Sequence, residues 1–186
     1  MNSFTLDLRN CNKNFHELIP SISHSFRNKK PLVHLELYFG GCKAIDDGKF
    51  SEILMAIQDA ASLKHLTLHL DGIIHIFETL WLGLKFPKLE SLDLNSYHSG
   101  LNPSVWSDIR KAIEELTTLK SLCLAIGKCH QLKNSSLDLD LLVQKLSNLK
   151  KFELWIQDLE IFGVSNNLYN SFTVFKELEV LTLNLM

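Results

Sequence analysis

Short runs alternating apolar and polar residues recur along the chain, among them Leu35-Glu-Leu37, Leu66-Thr-Leu68-His-Leu70, Leu92-Asp-Leu94 and Leu122-Cys-Leu124. A period of two puts the leucines on one face of an extended segment, so each run predicts a half-buried β-strand. Between these runs the apolar residues change to helical spacing. Phe15, Leu18, Ile19, Ile22 and Phe26 form one stripe; Ile53, Leu54 and Ile57 a second; Ile73, Phe77, Leu80 and Leu84 a third. Trp106, Ile109, Ile113 and Leu116 form a fourth, and Leu139, Leu142 and Leu146 a fifth. Each predicts an amphipathic helix. A sixth segment, 167–175, carries Tyr169, Phe172, Thr173, Val174 and Phe175; its helix propensity is poor and part of it is expected to be irregular.

The helix starts carry signals of differing strength. Asn102-Pro103 is the best marked, because Asn caps orphan amides and Pro fills the first helical position without losing a needed donor. Asp47, and Ser136 or Asp138, are softer caps. Pro20 falls inside the first stripe and is expected to bend or split that helix, since it lacks an amide and crowds the preceding turn.

The strand runs share a pattern of leucine, two residues, leucine, one residue, leucine, as in Leu89-Glu-Ser-Leu92-Asp-Leu94-Asn95. Its copies begin at Ser3, Leu32, Leu63, Leu89, Leu119, Leu149 and Leu178, with spacings of 29, 31, 26, 30, 30 and 29 residues. The pattern resembles the leucine-rich repeat, and the period is similar to that of its ribonuclease-inhibitor-like class, one strand and one helix per repeat. The resemblance implies an α/β solenoid: a short horseshoe with a parallel β-sheet on the concave face and helices on the convex face. Residues 1–186 would form a single domain of about six repeats plus a terminal half repeat. In the resembled class the ninth position of each repeat is usually Asn or Cys. Here it holds Cys11, Gly40, Asp71, Tyr97, Gly127, Gln157 and Met186, so only Cys11 matches.

With the leucines at positions four and six in the core, positions three, five and seven project from the concave face. Position three reads Thr5, His34, His65, Ser91, Ser121, Lys151, Val180. Position five reads Asp7, Glu36, Thr67, Asp93, Cys123, Glu153, Thr182, and position seven Arg9, Tyr38, His69, Asn95, Ala125, Trp155, Asn184. Asp7 and Glu36 are expected to be lateral neighbours about 5 Å apart. Four carboxylates in one column read either as acids on a solvated face or as an acidic groove for a partner with a basic segment. Tyr38 and Trp155 are large aromatics of the kind that anchor interfaces, or else lone rings lying on their neighbours. The candidate partner-binding residues are therefore Glu36, Tyr38, His65, His69, Asp93, Asn95, Glu153 and Trp155.

Composition narrows the classes of function. A net charge of −2 and a pI near 6.4 offer no bulk attraction to nucleic acid or to anionic membranes. The four cysteines are widely spaced and the first residues lack the features of a secretory leader, so reduced thiols and a cytoplasmic location are expected. The chain shows no G-x-S-x-G, H-E-x-x-H, phosphate-loop or paired C-x-x-C motif. Gly40-Gly41 reads as a turn after a strand. His34, His65 and Glu36 have a composition that metals accept, yet the expectation is no metal, no cofactor and no catalysis. The resemblance implies a protein-interaction scaffold that binds a partner through the concave face and rims. The alternative is a regulatory or targeting region of a larger enzyme assembly of kinase or ubiquitin-ligase type. Because the last run, Leu181-Thr-Leu183-Asn-Leu185, has no helix after it, either a second chain is expected to dock on the C-terminal strand or the natural protein is expected to continue past Met186.

Overall fold

All seven alternating runs form strands, and they lie side by side in the order in which the chain presents them. The computed structural model describes residues 2–11, 18–28, 32–43, 45–58, 60–73, 85–132, 137–158 and 166–185. The strands are β1 (Ser3–Asp7), β2 (His34–Tyr38), β3 (His65–His69), β4 (Ser91–Asn95), β5 (Ser121–Gly127), β6 (Lys151–Gln157) and β7 (Val180–Leu185). Each pairs in parallel with the next, giving one seven-stranded sheet. The helices are α1 (Leu18–Asn28), α2 (Asp47–Gln58), α3 (Pro103–Glu114), α4 (Leu139–Lys145) and α5 (Asn166–Ser171), the last running into a 3₁₀ turn at Phe172–Val174. This is the α/β leucine-rich-repeat solenoid.

The core lies between one sheet face and the helices. Leu37, Leu68, Leu94, Leu124 and Leu154 form a lateral ladder, all fully buried, with Leu35, Leu66, Leu92, Leu122 and Phe152 in a second row. Ile53, Leu54 and Ile57 of α2, Trp106, Ile109 and Ile113 of α3, and Leu142 of α4 close it from the other side. Trp106 is fully buried because its indole N–H donates to the Leu137 carbonyl at 2.7 Å. The third stripe, apart from Ile73, and Phe15 of the first lie outside the described residues.

The caps follow the sequence in one place and depart from it in two. Asn102 accepts from the Val105 amide at 2.9 Å with Pro103 next to it, as expected. At α2 the cap is Asp46, one residue before Asp47: its Oδ1 accepts the Lys49 amide at 3.0 Å and its Oδ2 pairs with the Lys49 ammonium at 2.9 Å. At α4, Asp138 holds the cap position in a left-handed conformation but makes no side-chain cap hydrogen bond; Ser136 lies outside the described residues. Pro20 is the third described residue of α1.

The first repeat is displaced by two residues from the leucine-based alignment. Ser3 pairs with His34, Thr5 with Glu36 and Asp7 with Tyr38, so Asp7 is not the lateral neighbour of Glu36. A slip of two leaves every side chain on its own face, and the hydrophobic pattern therefore cannot detect it. In the observed register the Phe4 ring meets Phe26 of α1 edge-on at 5.2 Å. The turns agree, because Asn10, Gly41, Gly72, His98, Lys128 and Asp158 all adopt left-handed backbone at one position of the repeat.

With the register corrected, Cys11 falls at position eleven beside Cys42, Ile73, Ser99 and Cys129. The small polar residue of the turn thus sits two places beyond the ninth. Ser99 Oγ donates to the Ser96 carbonyl at 2.6 Å, and Cys129 Sγ lies 3.3 Å from the Ser96 and Gly127 carbonyls. At the far end of the sheet Leu181, which occupies the level of Leu122 and Phe152, is 45% exposed, as no helix among the described residues covers it.

Candidate functional site

The solvent face of the sheet is written in three lateral rows. Ser3, His34, His65, Ser91, Ser121, Lys151 and Val180 form the first; Thr5, Glu36, Thr67, Asp93, Cys123, Glu153 and Thr182 the second; Asp7, Tyr38, His69, Asn95, Ala125, Trp155 and Asn184 the third. The middle row therefore holds three carboxylates, not four. A threonine or cysteine separates each from the next, which spaces the like charges about 10 Å apart and removes the repulsion of a contiguous acid column.

Two clusters emerge. Over β1–β3, the His34 and His65 rings stack at 4.0 Å with 14° between their planes. Glu36 accepts from Thr5 Oγ1 at 3.1 Å and from the Tyr38 hydroxyl at 3.3 Å. Tyr38 meets His69 edge-on at 4.9 Å, while the Arg9 guanidinium, 5.4 Å from the Tyr38 centroid, is paired bidentately with Asp7. That pairing holds the Asp7 carboxyl below its ordinary range. Burial first, then the Glu36 charge, pushes the Tyr38 phenol up. Face-to-face stacking sets the in-plane nitrogens of His34 and His65 alongside each other instead of toward one point, and no group of three metal-binding side chains is assembled among the described residues.

The second cluster surrounds a depression of about 340 Å³ over β3–β7. Four of the residues singled out from sequence line it: His69, Asp93, Asn95 and Trp155. His69 joins the two clusters, its Nε2 lying 3.8 Å from Asp93 Oδ2 while its ring touches Tyr38. Glu153 stands just outside, paired with Lys151 at 3.2 Å. Glu36, Tyr38 and His65 belong to the first cluster and do not reach the depression.

Tyr97 and Gln157, at the ninth position of their repeats, also line it. Tyr97 stands in the turn after β4, whereas β6 runs seven residues and keeps Gln157 on the sheet. The Tyr97 hydroxyl donates to Gln157 Oε1, fixing the wall at that end. On the floor, Cys123 lies between Asp93 and Glu153; burial, with those two carboxylates behind it, drives its thiol up to about 12. It is no nucleophile at neutral pH.

A second depression, of about 560 Å³, lies along the rim before the strands, lined by Lys64, Glu90, Lys120, Lys150 and neighbours. Three of its lysines are paired with carboxylates. Glu90 takes Lys64 at 2.6 Å and Lys120 at 2.8 Å, and its carboxyl is held down at about 2 by the hydrogen bonds from Lys120 and Lys64. Lys150 is shared by Glu177 at 3.4 Å and Glu179 at 3.6 Å.

No family model matches the sequence, and no curated protein matches it. Among solved structures the chain is similar to the tropomodulin C-terminal domain from Caenorhabditis elegans, with a TM-score of 0.58 and 12% identity over 84% of this chain and 92% of that one. It is also similar to actin-binding site 2 of leiomodin-1, with a TM-score of 0.54 and 15% identity over 88% and 92%. At these identities the likeness is one of fold: a leucine-rich-repeat-type solenoid shared over most of both chains.

Proposed function

We propose that this chain is a protein-recognition module, not an enzyme, and that it engages a partner across the concave face of the sheet and its rims. The observation that carries the reading is Trp155, which stands 43% exposed on the sheet in the depression it shares with Asp93, a carboxylate that no lysine or arginine neutralises among the described residues. An indole left in water on a rigid platform keeps apolar area that a partner can bury. Fixed acids nearby give the encounter a sign. No helix among the described residues is long and apolar enough to cross a membrane.

One of the two solved domains of similar fold is described as an actin-binding site, which makes actin a partner worth testing first. The experiment is co-sedimentation with actin filaments alongside cross-linking and mass spectrometry in native extract. Both use the wild type, the Tyr38→Ala/Trp155→Ala double variant and the helix-side variant Met55→Ala. A partner retained by wild type and Met55→Ala but lost by the double variant supports the concave face. A partner lost only with helix-side substitutions moves the interface to the convex side.

A further inference from the structure

We infer that the groove along β5 receives one arginine side chain of the partner, with its stem over Ala125 between Trp155 and Asn95 and its guanidinium over Cys123 between Asp93 and Glu153. This rests on the concave-face reading above and names the chemistry it recognises.

The groove is written in the outward residues of one strand. On β5 these are Ser121, Cys123, Ala125 and Gly127, all small, whereas β4 on one side carries Asp93 and Asn95 and β6 on the other carries Glu153, Trp155 and Gln157. A strand of small side chains between two strands of larger ones leaves a channel about 10 Å wide between its walls, twice the spacing of neighbouring strands. That width admits a single side chain. One end is fixed by the Tyr97 ring, which is tethered to Gln157 and lies across Gly127.

Length and charge select the occupant. Alternate residues of a strand stand about 6.6 Å apart, so a stem lying on Ala125 carries its head to Cys123. There Asp93 faces Glu153 from the opposite wall, one row of the sheet shared by all three. Burial first, and then both carboxylates, oppose ionisation of the thiol that lies between them. Of the nearby cations, Lys128 is turned away to Asp158 at 3.5 Å, while Lys151 takes Glu153 Oε1 at 3.2 Å from the neighbouring row, so Asp93 is the wall carboxylate that no lysine or arginine pairs with among the described residues. The Trp155 indole flanks the path of the methylene stem and the Tyr97 phenol closes its end, and a planar guanidinium divides its five donors between two carboxylates. A lysine ammonium is a point charge with three donors and lacks that planar fork.

The test is an NMR titration of the full ¹⁵N-labelled chain with N-acetyl-arginine methylamide, and in parallel with the lysine and norleucine counterparts. Signals of the Cys123 and Ala125 amides and the Trp155 indole should move saturably with the arginine probe, at least about five-fold tighter than with norleucine. Asp93→Asn should weaken that binding by about five-fold or more, and Ala125→Leu, which fills the floor, should abolish it. Asp108→Asn on the helical side should leave it unchanged. Circular dichroism of each variant separates loss of binding from loss of fold, and where Ala125→Leu fails to fold, Trp155→Ala, which removes one wall of the channel, should weaken the arginine response by about five-fold. Equal response to norleucine, a tighter response to lysine, or arginine binding that survives both Asp93→Asn and Ala125→Leu would overturn the assignment. If the arginine probe is silent while Tyr38 and Trp155 substitutions still release the partner, this inference falls and the concave-face reading stands.

Discussion

The Tyr97 ring lies across the backbone of Gly127 so closely that a Cβ on residue 127 would meet its Cε2 at 2.3 Å and the Gln157 carbonyl oxygen at 3.0 Å. The ring is the free end of a flexible side chain, so Gly127→Ala is expected to swing it outward and break its bond to Gln157. The cost should be modest, about 1 kcal/mol, the scale of one hydrogen bond. Urea denaturation of Gly127→Ala and of Tyr97→Ala checks this: the two should lose similar stability, and a loss several-fold larger in Gly127→Ala would mean that the strand itself has moved.

Leu92 and Leu122 sit next to each other in the second core row, 4% and 0% exposed. Leu122→Ala should cost about 2–5 kcal/mol through lost transfer energy and the cavity left behind. In an array where each repeat leans on its neighbours, the effect should spread to β4 and β6. Hydrogen exchange of the amides in those strands would show it, and protection unchanged from wild type would contradict the packing described.

Burial, followed by the adjacent His34, holds the His65 imidazole below its ordinary value of 6.5. The unfolded chain then takes up that proton more readily than the folded one. The contribution is intact above pH 6.5 and is lost as the pH falls from there through the folded value. Denaturation midpoints at about pH 7.5 and about pH 5 should therefore differ by less in His65→Gln than in wild type. An equal or larger difference in the variant would count against the stacked pair as a source of the dependence.

Reversing charge on the face is expected to act on association more than on fold. Glu36→Lys and Asp93→Lys should slow the capture of a basic partner, most strongly at low salt, with dissociation less affected. Stopped-flow mixing over a range of ionic strength is the measurement, and an on-rate that ignores both the substitutions and the salt would remove electrostatics from the encounter.

The sheet and its core could be read from period two alone, since each leucine row repeats what one strand says. The register of β1 could not: Phe4, Leu6 and Leu8 satisfy the pattern in either of two settings, and the contact made in the observed one, Phe4 on Phe26, joins residues distant in sequence. Asp46 and Asp47 are equally good caps by type, and only the path of the chain into α2 separates them. On the face, Asp93 and Trp155 were legible because they are large and polar or aromatic in outward positions. The groove between them was not, for it is made by what Ala125 and Gly127 lack, and by two extra residues of strand at β5 and β6.

Because the order of the strands in the sheet is their order in the chain, every pairing is made with the most recent repeat. Partners across one step of the sheet lie 31, 30 and 29 residues apart in the pairs Thr5–Glu36, Glu90–Lys120 and Leu89–Thr118. No strand waits for a distant one, and each loop to be closed is about as long as the last. During synthesis, β2 can seat on β1 as soon as its own repeat has emerged, and each later repeat finds its template already in place. Assembly can then keep pace with translation, growing from one end by steps of nearly constant cost, and a stall leaves behind a shorter stack of the same kind.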